Sequence, residues 1–145
     1  MAGVLAIDVG TKRTGFAVSD ALRIAAQPLE GFCAGEDAPE LLEHVARLLD
    51  ERDVDTLLVG LPRDMDGGES ARAAAVRRFA ARLSARFPGL RLILWDERLT
   101  TKAAEELLRE AGYSGRESKQ RRDSWSALVL LRDWMESGEP ADERP

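Results

Sequence analysis

The 145-residue chain has one cysteine and one histidine. With Cys33 alone, no intrachain disulfide can form, and so little cysteine fits a reducing compartment. Neither a CxxC nor an HExxH pattern is present, which removes the usual zinc-site spacings. The lone His44 lies near the apolar edge of its helix, where a packing or surface role outweighs catalysis. The apolar stretch within the opening MAGVLAIDVGTK is too short for a membrane span and has no basic region before it. No targeting signal is evident, so the expected compartment is the cytoplasm, without a membrane. A positive net charge is also lacking: 26 acids outnumber 21 bases for a formal net charge of −5, which argues against coating nucleic acid by bulk electrostatics.

The distribution of charge says more than the total. Arg72, Arg77, Arg78, Arg82 and Arg86 fall in one segment opposed only by Glu69, so an acidic protein can still carry a basic face. The acids Glu139, Asp142 and Glu143 gather at the other extreme. The length suits a single domain, expected over residues 1–137, with 138–145 as a flexible acidic tail.

Hydrophobic periodicity predicts strands at 4–9, 14–19 and 24–32, the last weakened at Pro28. A helix follows over 39–52, with Pro39 in its first turn. A strand at 56–60 runs into a glycine- and proline-containing loop over 60–68. Beyond it Val76, Phe79, Ala80, Leu83 and Phe87 make a helical face that ends at Pro88 and Gly89. A fifth strand at 91–95 delivers Asp96, Glu97 and Arg98. A helix capped by Thr100 or Thr101 extends to about Ala111, with Gly112 as terminator. The last helix is expected to begin between Ser114 and Lys119 and to reach Glu136. Hairpins followed by βαβ crossovers make a mixed α/β sheet with helices on its faces.

Three acids stand out. Asp8 interrupts a strand that should be covered on both sides, where an unpaired carboxylate is costly; an ion pair with Lys12 or Arg13 is the plain alternative to a metal. Glu97 projects where ligand sites of α/β sheets gather, although acids after strands often just begin a loop. Asp123 could be a helix cap, but Ser114 with Glu117 has capping-box spacing, which would put Asp123 inside the helix. Together the three make an oxygen-only ligand set, suited to Mg²⁺ or Mn²⁺ and to metal-assisted phosphoryl chemistry that needs no side-chain nucleophile.

Basic residues adjoin these acids. Thr11, Lys12 and Arg13 form a turn beside Asp8 that could hold phosphate or merely be solvated. Arg63 and Arg72 flank the start of the arginine-bearing helix, where an anion could sit. Arg98 follows Glu97 directly. Arg116, Lys119, Arg121 and Arg122 precede Asp123, and this is the basic cluster most closely joined to a candidate acid.

These residues carry a resemblance over nearly the whole chain. Asp8-Val-Gly-Thr-Lys-Arg-Thr-Gly15 with Ala17-Val-Ser-Asp20, Val59-Gly-Leu-Pro62 with Met65-Asp-Gly67, and Trp95-Asp-Glu-Arg-Leu99 resemble successive motifs of the YqgF-type family of pre-16S ribosomal RNA nucleases, also described as Holliday-junction resolvase-like. The last family motif sets an aspartate after a basic stretch with paired alanines two residues on; here Ser126 takes one of those places. The resemblance implies a ribonuclease H-like fold with a mixed five-stranded sheet, three strands antiparallel and then two parallel. It also implies Mg²⁺- or Mn²⁺-dependent cleavage and trimming of the 5′ end of the small-subunit rRNA precursor.

The expected partners are nucleic acid, either structured RNA such as pre-rRNA or branched DNA, and ribosomal particles. A monomer would favour RNA processing; a homodimer would favour junction resolution, which needs two symmetry-related cuts. A non-catalytic binding module should have lost one of the acids, and none is lost. Asp8-x-Gly-Thr also resembles the phosphate turn of actin-like ATPases, but those use two such domains and this length supplies one.

Overall fold

A computed structural model of the chain describes residues 2–63, 68–97, 106, 109, 110, 112 and 124–140. Among them are five strands: β1 (Gly3–Val9), β2 (Thr14–Ser19), β3 (Ala26–Pro28), β4 (Val54–Leu61) and β5 (Arg91–Asp96). They form one sheet in the order β3-β2-β1-β4-β5. The β1–β2 and β2–β3 ladders are antiparallel, whereas β1–β4 and β4–β5 are parallel. This is the mixed sheet expected from the hairpin-then-crossover order. Helix α1 (Pro39–Asp50) makes the connection into β4, and α2 (Ala71–Arg86) connects β4 to β5. Helix α3 (Trp125–Glu136) follows later in the chain.

The near-continuous apolar run of β1 is explained by cover on both faces of the sheet. Side chains alternate across a strand. Leu5, Ile7 and Val9 face one core with Phe16, Leu57 and Val59, packed by Leu41, Val45 and Leu48 of α1 and by Val76, Phe79 and Leu83 of α2. Val4 and Ala6 face the other core with Leu58, Ile93 and Trp95, packed by Leu128, Leu131 and Trp134 of α3. The Trp95 indole donates to Asp133 Oδ2 at 2.9 Å, which ties α3 to β5 with a buried polar contact. Near the end of the described chain, Trp134 Nε1 donates to the Pro140 carbonyl at 3.0 Å and Glu139 pairs with Arg23 at 2.8 Å.

The structure differs from the sequence reading in three places. The third strand is much shorter than 24–32, because only residues 26–28 pair with β2. Asp20 Oδ1 accepts the N–H groups of Ile24 and Ala25, at 2.8 and 3.1 Å, and closes those residues into a turn. Pro28 then has no N–H to offer the ladder. The chain touches β2 again only at a bridge between Thr14 and Phe32. Second, β4 runs on past Gly60, the last residue of the expected strand, so Leu61 belongs to the strand and not to the loop.

Third, the last helix begins at Trp125 with Ser124 at its N-cap, instead of between Ser114 and Lys119. The positions where that start was expected, and Asp123 with them, lie outside the described residues. The Ser124 hydroxyl makes no capping bond. It accepts the Phe16 N–H at 2.9 Å instead, satisfying a strand donor beyond the reach of the short β3. Of the helix expected over 100–111, Glu106, Arg109 and Glu110 are described and helical, and Gly112 has φ +94°, as a terminator should. Among the described residues, no helix is long and apolar enough to cross a membrane.

Candidate active site

Three strands deliver the site to the face beneath α3. Asp8 continues the series Val4, Ala6 on β1, Gly60 continues from Leu58 on β4, and Glu97 continues from Ile93 and Trp95 one residue past β5. Because β1, β4 and β5 are parallel, these positions gather at the C-terminal edge of the sheet. Ile7 pairs with Val59, and Gly60 pairs with Trp95, so Gly60 lies between the two acids across the sheet. A methyl group at position 60 would stand 2.5 Å from Glu97 Oε1, 3.0 Å from its Cγ and 3.1 Å from its Cδ. The Glu97 side chain thus occupies the space left by the missing side chain of Gly60 and crosses it to reach Asp8.

The two carboxyls hydrogen-bond to each other, which requires a proton on one of them. Burial is the largest cause of a raised Asp8 pKa, opposed by the bond from Glu97 and the charge of Arg72. Burial also leads for Glu97, whose pKa is pushed up to about 8 with the help of the Asp8 charge and hydrogen bond. Arg72 again opposes the shift, and the charge of Asp96 adds to it. Two acids whose proton affinities rise together at one sheet edge would be relieved by a cation between them.

Arg72 sits at the start of α2 and is held from two sides. Its guanidinium meets Glu36 Oε1 at 2.6 Å and donates to the Val9 carbonyl at 3.1 Å. The turn after β1 is braced by the segment that leads to Glu36: Thr14 Oγ1 donates to the Ala34 carbonyl at 2.8 Å and the Glu36 N–H to the Gly10 carbonyl at 3.2 Å. No side chain fits at Gly35, whose Cβ would collide with the Thr11 carbonyl. Thr11, Lys12 and Arg13 are left exposed on this braced turn, beside Asp8.

The sequence-predicted residues therefore fare differently. Asp8, Glu97, Arg72 and the Thr11–Lys12–Arg13 turn come together at one sheet edge. Arg63 is mostly buried and lies 3.7 Å from Glu69, which also holds Arg77. Arg86 pairs with Glu43, so much of the arginine run is spent on local acids instead of making a free basic face. Arg98, Lys119, Arg121, Arg122 and Asp123 lie outside the described residues. Sequence reasoning misses Gly60 and Glu36: a glycine inside an apolar run is the available signal for the first, while Glu36 sits in a loop without any pattern.

The donor set fits a hard divalent cation. Asp8 and Glu97 supply two carboxyls that share a proton, one that metal binding would release, while Glu36 is taken up by Arg72. Among the described residues, no group of three or more His, Cys, Asp or Glu side chains is assembled to hold a metal; the site there consists of two carboxyls. A cavity of about 470 Å³, lined by Ser19, Asp20, Gln27, Arg52 and Asp53 among others, opens at the other end of β2.

Comparisons with known proteins agree with this layout. The family model described as "RuvX: Holliday junction resolvase" matches residues 2–137. A protein of Geobacillus sp. (strain WCH70) named "Putative pre-16S rRNA nuclease" is 43% identical over 135 residues, covering 92% of this chain and 97% of that protein. A protein of the same name from Halalkalibacterium halodurans is 41% identical over 134 residues, covering 91% and 94%. Among solved structures, Thermus thermophilus RuvC in complex with a Holliday junction substrate superposes with a TM-score of 0.60 at 14% identity, over 96% of this chain and 98% of that one. The fowlpox virus Holliday junction resolvase gives 0.57 at 13% identity, over 93% and 99%. At such identities these structures speak for the fold alone, and that fold is RuvC-like, of the ribonuclease H type.

Proposed function

Since the chain belongs to the RuvX Holliday junction resolvase family, we propose that it is a divalent-metal-dependent nuclease whose metal-binding carboxylates are Asp8, Glu97 and Asp123. The observation that carries this reading is the Glu97 side chain laid across Gly60 onto Asp8. An acid pair held this close, and protonated for want of a counter-charge, is an expensive arrangement that a purely structural role does not need. Asp123 enters from its place in the sequence. It directly precedes Ser124, which is bonded to Phe16, and Phe16 is the neighbour of the residue paired with Asp8.

Asp8 and Glu97, with Asp123, would hold Mg²⁺ or Mn²⁺, which when bound supplies charge for an attacking water and for the leaving oxygen of a phosphodiester. The chain's own groups do the rest. Lys12, Arg13 and the Thr11 hydroxyl on the braced turn orient substrate phosphates, and Arg72 offers its uncommitted N–H groups beside the acids. Arg63, Arg98, Lys119, Arg121 and Arg122 complete the proposed nucleic-acid contacts, with Arg63 acting only if it leaves Glu69. The cover of α3 over the opposite end of the same face excludes water there.

The substrate assigned is the 16S rRNA precursor, from the name shared by relatives that match over more than nine-tenths of their length, with its 5′ end as the part that the motif resemblance implies. Ribosomal particles are then the setting and the cytoplasm the compartment. The family description favours a second reading, resolution of branched DNA. The deciding experiment incubates the purified chain with a pre-16S leader RNA, a four-way DNA junction and linear controls, each with Mg²⁺, Mn²⁺ or EDTA. Metal-dependent cutting of the leader, by a monomer, supports the first reading. Paired symmetric cuts in the junction, by a dimer, replace it with the second. Cleavage that persists in EDTA removes the metal proposal.

A further inference from the structure

Glu36 has a buried carboxyl group that neither the sequence motifs nor the acid pair accounts for. Its side chain is 7% exposed, and only one of its oxygens is engaged, by Arg72 at 2.6 Å. The other, Oε2, is buried and has no hydrogen-bond partner. Burying a half-satisfied carboxylate costs stability, and an apolar residue in its place would serve packing better. The backbone explains how Glu36 is aimed. Its N–H is bonded to the Gly10 carbonyl, so the carboxyl is fixed to the turn that follows Asp8, next to the Val9 carbonyl that takes the other arm of Arg72.

Arg72 is a cation near two acids that it does not join. Its charge is felt by both Asp8 and Glu97. Yet among the described residues Glu36 is the one carboxyl within ion-pair distance of it. A free guanidinium in that position would be drawn into a bidentate pair with the two carboxylates and would neutralise the place where a metal belongs. We propose that Glu36 is a positioning residue which, by clasping Arg72 against the end of β1, keeps the guanidinium off the Asp8–Glu97 pair and presents it to a phosphate oxygen of the substrate. The proposal rests on the nuclease reading for its substrate, but the role it gives Glu36 in metal binding stands on the geometry.

The test is a double-mutant cycle on the full chain, with Mn²⁺ as the probe and calorimetry at neutral pH as the readout. Glu36→Gln should weaken Mn²⁺ binding by about tenfold, an ordinary coupling between neighbouring charges. Arg72→Gln should bind Mn²⁺ at least as well as wild type. Adding Glu36→Gln to Arg72→Gln should then change nothing, because the residue it restrains is gone. Additive losses would mean that Glu36 acts through its own charge, and no loss in Glu36→Gln would mean that it has no such role; either overturns the proposal. At saturating Mn²⁺, Glu36→Gln should recover kcat and keep a raised KM for the nucleic acid, a split that simple destabilisation does not produce. If Glu36→Gln proves unfolded by its melting curve, Arg72→Lys carries the test. It keeps the charge but not the two-armed clasp, and wild-type Mn²⁺ affinity there would refute the idea. Should wild type bind Mn²⁺ in this pattern and cut nothing, the nuclease reading falls while the role of Glu36 survives.

Discussion

Replacing Glu97 with glutamine should stabilise the metal-free protein at neutral and alkaline pH while removing its activity. The Glu97 pKa rises from an ordinary 4.5 to about 8 on folding. Between those values the folded chain keeps a proton that the unfolded chain has released, so folding stability is lost as pH rises through the window and is full below it. At about 1.4 kcal/mol per tenfold change in proton affinity, the limit is about 5 kcal/mol above pH 8. Water reaches the half-buried edge and Asp8 shares the proton, so we expect roughly half of that, about 2 kcal/mol. For a chain of this size that is a rise in Tm of about 6 °C. The glutamine amide has no proton to lose and can still donate to Asp8. The assay is a set of melting curves in EDTA from acidic to alkaline pH. Wild type should lose stability with rising pH, Glu97→Gln should lose much less, and the two should converge near pH 5. A Glu97→Gln variant less stable than wild type at pH 8 would refute the placement of the acid pair.

Other expectations follow from the same geometry. Gly60→Ala should fold, since only the Glu97 side chain lies in the way, yet displacing that carboxylate by about 1 Å should cut the cleavage rate by roughly a hundredfold; unchanged kcat would show that Glu97 does not need the gap. Ser124→Ala leaves the buried Phe16 N–H without its acceptor and should cost about 1–3 kcal/mol by urea unfolding. A loss of activity larger than that of stability would tie the start of α3 to the site. Asp123→Asn should abolish cleavage without lowering Tm; full activity would return that residue to a local structural role. Reversing the charges of Arg121 and Arg122 should weaken nucleic-acid binding and flatten its dependence on salt by about one unit of slope per lost phosphate contact, and an unaltered slope would take the pair out of the interface.

The legible parts of the fold are those with strong local periodicity. The strands β1, β2, β4 and β5 and the helices α1 and α2 are evident because apolar residues recur at the spacing each element imposes. The third strand reads as too long because the bond from Asp20 that closes the 20–25 turn is a side-chain event, invisible to a hydrophobic pattern. That the last helix starts at Trp125 is not legible because Ser124, its N-cap, is fixed by a strand more than a hundred residues away. In the site, Asp8 is conspicuous as a charge in an apolar strand, while Glu97 draws mainly on the family motif. Gly60 and Glu36 act by making room and by holding a neighbour. Such roles depend on register and on tertiary contact, and no residue type at a fixed spacing announces them.

The account stands on Asp8 and Glu97 being a protonated pair that gives way to a divalent cation, and proton release on Mn²⁺ binding tests this most directly. Calorimetric titrations at neutral pH, in buffers of different ionisation enthalpy, count the protons displaced per ion. With Glu97 at about 8, close to one proton should leave for each Mn²⁺ bound at neutral pH. The release should vanish well above pH 8, and Glu97→Gln should bind Mn²⁺ far more weakly. Tight binding with no proton released, unchanged in Glu97→Gln, would contradict it.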